Sequence, residues 1–237
     1  MLTLATMSQS SGPGEPEIFA SEQGEGPSAS LPCAFVRLSR CNLACTWCDT
    51  AYTWRFTEYD RKANQIVLSE ADTAARIAAL GQNRLVITGG EPLLQGAALA
   101  RMVALLGGHR VEIETNGTVA PHSALDPLVS QYNVSPKLAH SGNASTLALL
   151  PERMTAWANE PKANFKFVIA EPEDLTEVLA LQQTYAIPAE RIYLMPLGTD
   201  SATLHARTGW LAAHATRHGF HLSDRLHIHR YGDTRGT

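Results

Sequence analysis

Cys33-Ala34-Phe35-Val36-Arg37-Leu38-Ser39-Arg40-Cys41-Asn42-Leu43-Ala44-Cys45-Thr46-Trp47-Cys48 is the stretch on which the fold turns. Its first part, Cys33 to Leu38, is a short apolar run that reads as a buried strand. Its second part is a loop leaving that strand with three cysteines spaced CxxxCxxC. Thiolates select iron–sulfur clusters, zinc or Cu(I), and a closed structural zinc or an ordinary cluster site takes four protein ligands. Three thiolates on a four-iron, four-sulfur cube leave one iron open to a further ligand. A structural zinc borrowing Cys33 would have to reach the far end of the strand, so Cys33 reads instead as a small buried hydrophobe.

Outward from this stretch, short β-branched or apolar runs alternate with helical patterns, which argues for βα units and a parallel sheet. The expected strands are Cys33 to Leu38, Arg84 to Thr88, Arg110 to Glu114, Tyr132 to Ser135, Phe165 to Ile169 and Arg191 to Met195. Helical periodicity covers Ser69 to Leu80, with Ser69 and Asp72 as a capping-box pair, and Gly96 to Leu106, Glu173 to Thr184 and Ala202 to His218. Several strands end in turn residues: Thr88-Gly89-Gly90-Glu91-Pro92, Glu114-Thr115-Asn116-Gly117, Ser135-Pro136-Lys137 and Met195-Pro196-Leu197-Gly198. Ligands of α/β folds bind at the carboxyl ends of parallel strands, so these turns and the cysteine loop are expected around one mouth.

The 237 residues carry a formal net charge of -4 and a pI near 6.1, with no basic footprint for nucleic acid, so a small-molecule partner is expected. Three of the 4 cysteines sit too close together for a disulfide framework, which favours a reducing compartment. No apolar run approaches a membrane span, and residues 1–16 lack the features of a signal peptide. They read as a flexible tail before a single domain over 17–237, in a cytoplasmic protein without membrane association.

Taken with CxxxCxxC, the Thr88-Gly89-Gly90-Glu91-Pro92 turn resembles the radical S-adenosylmethionine (SAM) enzymes. Glu17-Ile18-Phe19, Gln23-Gly24-Glu25-Gly26-Pro27, Phe35-Val36-Arg37-Leu38 and Cys48-Asp49-Thr50, in that order, resemble the 7-carboxy-7-deazaguanine synthases of queuosine and deazapurine biosynthesis. The resemblance implies a partial (β/α)6 barrel open on one side. It also implies a 4Fe–4S cluster on Cys41, Cys45 and Cys48, with SAM met by Gly90, Ser135, Pro136 and Lys137 and by Glu114 and Asn116 lining the same cleft. Trp47 either flanks the SAM adenine or packs locally. The implied reaction is ring contraction of 6-carboxy-5,6,7,8-tetrahydropterin, a magnesium-assisted carbon–nitrogen lyase reaction. Glu22, Gln23, Gly24 and Thr88 match substrate contacts, and Thr50 matches the protein ligand to magnesium. The Arg37 fork suits a carboxylate, although an arginine at this place in a strand also suits a salt bridge. A homodimer and an electron donor such as flavodoxin or ferredoxin are implied too.

Some residues depart from the family pattern. Glu22 stands where an apolar residue is frequent, Leu197 where an acidic one is common, and the chain continues past His229 to Thr237, which puts the family's carboxyl-terminal substrate contact in doubt. His214 and His218 have a metal-ligand spacing but no carboxylate support, and with His221, His227 and His229 they read as surface residues. Two other readings compete. A glycyl-radical-enzyme activating enzyme shares the cysteine and Gly-Gly-Glu-Pro patterns but acts on a protein. A non-catalytic zinc or iron–sulfur protein explains the cysteines but not the turns.

Overall fold

A computed structural model describes residues 1–7 and 14–237. Among the described residues ten strands form one sheet: β1 (Leu2–Ala5), β2 (Ile18–Glu22), β3 (Pro32–Leu38), β4 (Gln65–Leu68), β5 (Arg84–Gly89), β6 (Arg110–Thr115), β7 (Gln131–Val134), β8 (Ala163–Ile169), β9 (Ile192–Pro196) and β10 (His221–Leu222). From β3 through β5, β6, β7, β8 and β9 to β10 every pairing is parallel and neighbours follow in chain order. This is the partial barrel: the six expected strands are β3 and β5 to β9, and the sheet does not close on itself. The helices are α1 (Arg61–Asn64), α2 (Glu70–Ala79), α3 (Gly96–Leu105), α4 (Ser145–Ala148), α5 (Pro151–Asn159), α6 (Asp174–Tyr185), α7 (Ser201–His218) and α8 (Leu226–Tyr231). Ser69 caps α2 by accepting from the Asp72 amide at 3.0 Å, and Asp200 caps α7 in the same way through Thr203 at 2.9 Å.

Strand alternation separates two environments. Val36, Ile87, Ile113, Tyr132, Phe165 and Phe167 join the apolar core with Ile77, Leu99, Val178 and Leu211 of the helices. The opposite faces of the same strands carry Arg37, Thr88, Glu114, Asn133 and Lys166, which line a cavity. Register brings these together, since Arg37 pairs with Thr88 and Glu114 with Asn133. Parallel strands covered on both faces usually read as continuous apolar runs. Polar residues at every second position therefore mark the inside of the barrel.

The amino-terminal reading needs correction. Leu2–Ala5, expected in a flexible tail, form β1 between β3 and β4, with Leu2, Leu4 and Ala5 fully buried. Gln95, in the turn after β5, holds β1 by accepting from the Thr3 amide at 2.8 Å and donating to the Thr3 carbonyl at 2.9 Å. Residues 8–13 of that expected tail lie outside the described residues. Among the described residues no helix is long and apolar enough to cross a membrane.

Candidate active site

The ends of β2, β3 and β5 to β9 contribute to the lining of a cavity of about 230 Å³ at the carboxyl edge of the parallel strands. The cysteine loop leaves β3 and meets the turn after β5. An added Cβ at Gly89 (φ +134°) would stand 2.1 Å from the Leu38 carbonyl oxygen, and one at Gly90 2.1 Å from that of Arg40. Only glycine lets the two backbones approach this closely. The fully buried Glu91 then ties β5 to β6: it accepts from the Leu93 amide at 3.0 Å, the Thr115 hydroxyl at 2.9 Å and the Asn116 amide at 2.7 Å.

Every cysteine sulfur of the loop faces a donor. Leu43 N lies 3.5 Å from Cys41 Sγ, Asn143 Nδ2 3.2 Å from Cys45 Sγ and Trp54 Nε1 3.3 Å from Cys48 Sγ. Burial pushes the Cys41 thiol up to about 11 and the Cys45 thiol in the same direction, so ionisation of this pair calls for a cation such as cluster iron. Among the described residues no three His, Cys, Asp or Glu side chains gather tightly enough to hold a single metal ion. Beside the loop, Trp47 stacks on His140 at 5.4 Å, Lys137 Nζ lies 5.6 Å from the Trp47 ring and donates to Ser135 Oγ at 2.8 Å. The Trp47 indole nitrogen is buried without a hydrogen-bond partner. An orphaned donor next to three cysteines suits an absent polar ligand.

A second wall is built from ion pairs and directional polar groups. Arg37 Nε donates to Glu17 at 2.7 Å, and the Tyr52 hydroxyl reaches the other oxygen of the same carboxylate at 2.8 Å. Glu114 accepts from Thr88 at 2.7 Å and Gln23 at 3.2 Å. Lys166 pairs with Glu25 and stands 4.0 Å from Glu114. Arg225 bridges Glu25, at 3.0 Å, to Asp49. Burial by itself pushes the Glu25 carboxyl up, but Lys166, Arg225 and His227 outweigh it and hold the group well below the usual carboxylate range.

The chain matches the Radical SAM superfamily over residues 36–133. A 7-carboxy-7-deazaguanine synthase from Pyrobaculum aerophilum is 38% identical, covering 93% of this chain and 95% of the relative. One from Halobacterium salinarum is 35% identical over 92% and 90% of the two chains. The chain belongs to the 7-carboxy-7-deazaguanine synthase family. Among solved structures, QueE from Escherichia coli superposes with a TM-score of 0.69 at 25% identity over 95% of each chain. Streptococcus suis SuiB bound to S-adenosylmethionine, at 15% identity and TM-score 0.53 over 78% of this chain and 48% of that one, shares the fold alone. Membership of this radical SAM family implies a 4Fe–4S cluster and SAM, and the cysteine loop with its orphaned indole donor fits both.

Of the residues that the resemblance singles out, all but Pro136 line the one cavity: Glu22, Gln23, Gly24, Arg37, Thr88, Trp47, Gly90, Glu114, Asn116, Ser135, Lys137, Cys41, Cys45, Cys48 and Thr50. Pro136 is buried and does not line it. Arg37 has the salt-bridge partner that its position in the strand suggested, and it lines the cavity as well. Glu22 sits half-exposed on the rim, paired with Arg230. Glu114 stands with Thr88, Gln23 and Lys166. Cys33 is buried with Phe19, Phe35 and Val86, as a small hydrophobe.

The carboxyl-terminal residues bring a correction. His227 lines the cavity and is no surface histidine, and Asp233, Thr234, Arg235 and Thr237 line it too. The other four histidines are held by local packing: His214 against Trp210, His218 against Phe220, His221 against Tyr193 and His229 between Ser201 and Asp224. Sequence reasoning also missed Glu17, Glu25, Asp49, Tyr52, Trp54, Asn143, Lys166 and Arg225 as site residues. For Lys166 a signal existed, a lysine between two phenylalanines in a strand. For Asn143 and Arg225, which come from loops remote in sequence, none did.

Proposed function

We propose that this protein contracts the ring of 6-carboxy-5,6,7,8-tetrahydropterin to 7-carboxy-7-deazaguanine with loss of ammonia. The observation that carries this reading is one cavity lined both by CxxxCxxC and by Arg37, Gln23 and Thr88, in a chain aligned over nearly its whole length with synthases of that name. When bound, the reduced cluster and SAM supply a hydrogen-abstracting carbon radical. The remaining work is positional. Arg37 gives the substrate carboxylate a planar fork, and Gln23 and Thr88 give the pterin ring directional hydrogen-bond groups. Phe19, Phe35 and Ile228 keep water from the radical.

Gly90, Ser135, Lys137 and Asn116 meet SAM, and Trp47 and Glu114 border it. Thr50, beside Cys48, holds magnesium, a hard ion that keeps several waters and takes substrate oxygens, so one protein ligand suffices. The protein works as a cytoplasmic homodimer and takes electrons from a flavodoxin or ferredoxin. The Gln23 to Pro27 segment and Cys48-Asp49-Thr50, which bring Gln23, Gly24, Glu25, Cys48, Asp49 and Thr50 to the cavity, weigh against a glycyl-radical activating reaction on a protein segment.

Anaerobic reconstitution with SAM, dithionite, magnesium and the carboxypterin, read by mass spectrometry, is expected to give 7-carboxy-7-deazaguanine over many turnovers. Deoxyadenosine without that product would remove the substrate assignment. Thr50→Ala is expected to keep its iron and lose most of its response to magnesium. An unchanged magnesium titration would remove that ligand.

A further inference from the structure

Glu17 is fully buried, and no step of the proposed reaction uses it. A carboxylate enclosed in this way must have its oxygens satisfied. One takes the Arg37 Nε–H at 2.7 Å and the other the Tyr52 hydroxyl at 2.8 Å. The Glu17 backbone carbonyl also accepts from the Arg37 amide at 3.0 Å, so both the main chain and the side chain of Arg37 are indexed to one residue.

The mode of this contact decides what is left of the arginine. A guanidinium offers a carboxylate either its Nε side or the Nη1–Nη2 end. Glu17 occupies the Nε side, and among the described residues neither Nη of Arg37 makes a hydrogen bond. The open end belongs to a residue that lines the cavity.

Tyr52 is itself fixed. The Arg235 guanidinium carbon lies 3.4 Å from the Tyr52 ring centroid, and Arg235 Nη1 donates to the buried Asn64 at 2.9 Å. A cation over a desolvated tyrosine face is an attractive contact.

We propose that Glu17 and Tyr52 are positioning residues that hold Arg37 with its Nη pair open to the cavity for end-on capture of the ligand carboxylate, and that Arg235 holds Tyr52 in place for this. The inference rests on the reading above that Arg37 takes the substrate carboxylate.

Tyr52→Phe keeps the ring and deletes one hydrogen bond to a charged group, a change on the order of tenfold in affinity. We expect KM for the carboxypterin to rise about tenfold with kcat little changed. Equilibrium binding of the carboxypterin to cluster-loaded protein weakens by the same factor, while binding of a tetrahydropterin lacking the carboxylate does not change. In an Arg37→Ala background the same substitution adds nothing. Arg235→Ala reproduces the selective loss at a smaller factor. Glu17→Gln, which keeps an acceptor but not the charge, exceeds it; should that variant fail to melt cooperatively, Tyr52→Phe decides.

Equal weakening for both pterins, or a Tyr52→Phe effect that persists in Arg37→Ala, overturns the positioning role and leaves the carboxylate reading standing. An Arg37→Ala protein with undiminished preference for the carboxylated pterin overturns the underlying reading instead.

Discussion

Lys166 sits between Phe165 and Phe167, both fully buried on the helix side, and alternation sends the lysine alone into the barrel. Burial by itself would draw its ammonium pKa down, but Glu25 and Glu114 outweigh that and raise it. The partner Glu25 is correspondingly held below its usual range, so its contribution to stability is fully present above about pH 4.5 and is lost as pH falls through the lower folded-state value. Lys166→Met leaves Glu25 with Arg225 as its nearest cation. Breaking a buried pair costs about 3–5 kcal/mol, and the remaining arginine reduces this toward the lower end. We expect denaturant midpoints of the variant to fall most at pH 7 and the deficit to narrow below about pH 4.5, where the wild-type carboxyl begins to lose its advantage. A deficit that stays constant with pH would mean that the ion pair contributes nothing beyond packing. At this scale the sequence was informative about the cysteines and the Gly-Gly turn, whose spacing is local. It was silent on pairs such as Lys166 with Glu25 or Asn143 with Cys45, which exist only once distant turns meet.

At the scale of elements, β1 carries the sharpest disagreement between pattern and structure. Four residues are too few for a period to declare itself, and Leu2–Ala5 precede a Ser- and Gly-rich stretch that colours the whole segment as tail. In the sheet, however, Leu4 is fully buried opposite Leu38 of β3 and Ile66 of β4. Leu4→Ala is therefore expected to lower stability by about 2–5 kcal/mol, seen as a drop in the urea midpoint. A silent substitution would return the segment to the status of a tail. The parallel strands were legible for the opposite reason. β5, β6, β8 and β9 are bounded by Gly, Pro, Asn or Ser and separated by helix-period stretches, so each announced itself within a short window. β2 and β4 gave no such frame, and the two-residue β10 lies below any pattern threshold.

The whole molecule is joined across its mouth by one arginine. Arg225, at the start of α8 and 5% exposed, donates to Glu25 of the turn after β2 at 3.0 Å, to the Gly198 carbonyl after β9 at 2.6 Å, and to Asp49 of the cysteine loop. Just beyond it α8 is seated on Gly24: Leu226 N donates to the Gly24 carbonyl at 3.0 Å, and an added Cβ there would stand 2.2 Å from His227 Nδ1. From α8 the chain runs along the cavity wall to Thr237. Arg225→Ala removes all three side-chain ties at once and leaves Glu25 and Asp49 each short of a cation. The cysteines keep their own donors, which come from Leu43, Asn143 and Trp54. We therefore expect iron content to hold while amide exchange accelerates together in 22–26 and 226–237, and KM for the pterin to rise by about tenfold or more, the loss of a charged hydrogen bond or two. Arg230→Ala serves as the comparison, since its pair with Glu22 is half-exposed on both sides and is worth roughly 0–1 kcal/mol. Exchange that rises in one of the two segments only would show that α8 is held by Gly24 packing and not by the arginine. Loss of iron would instead make Asp49 a support of the cluster loop, with Arg225 reaching the cysteines through it.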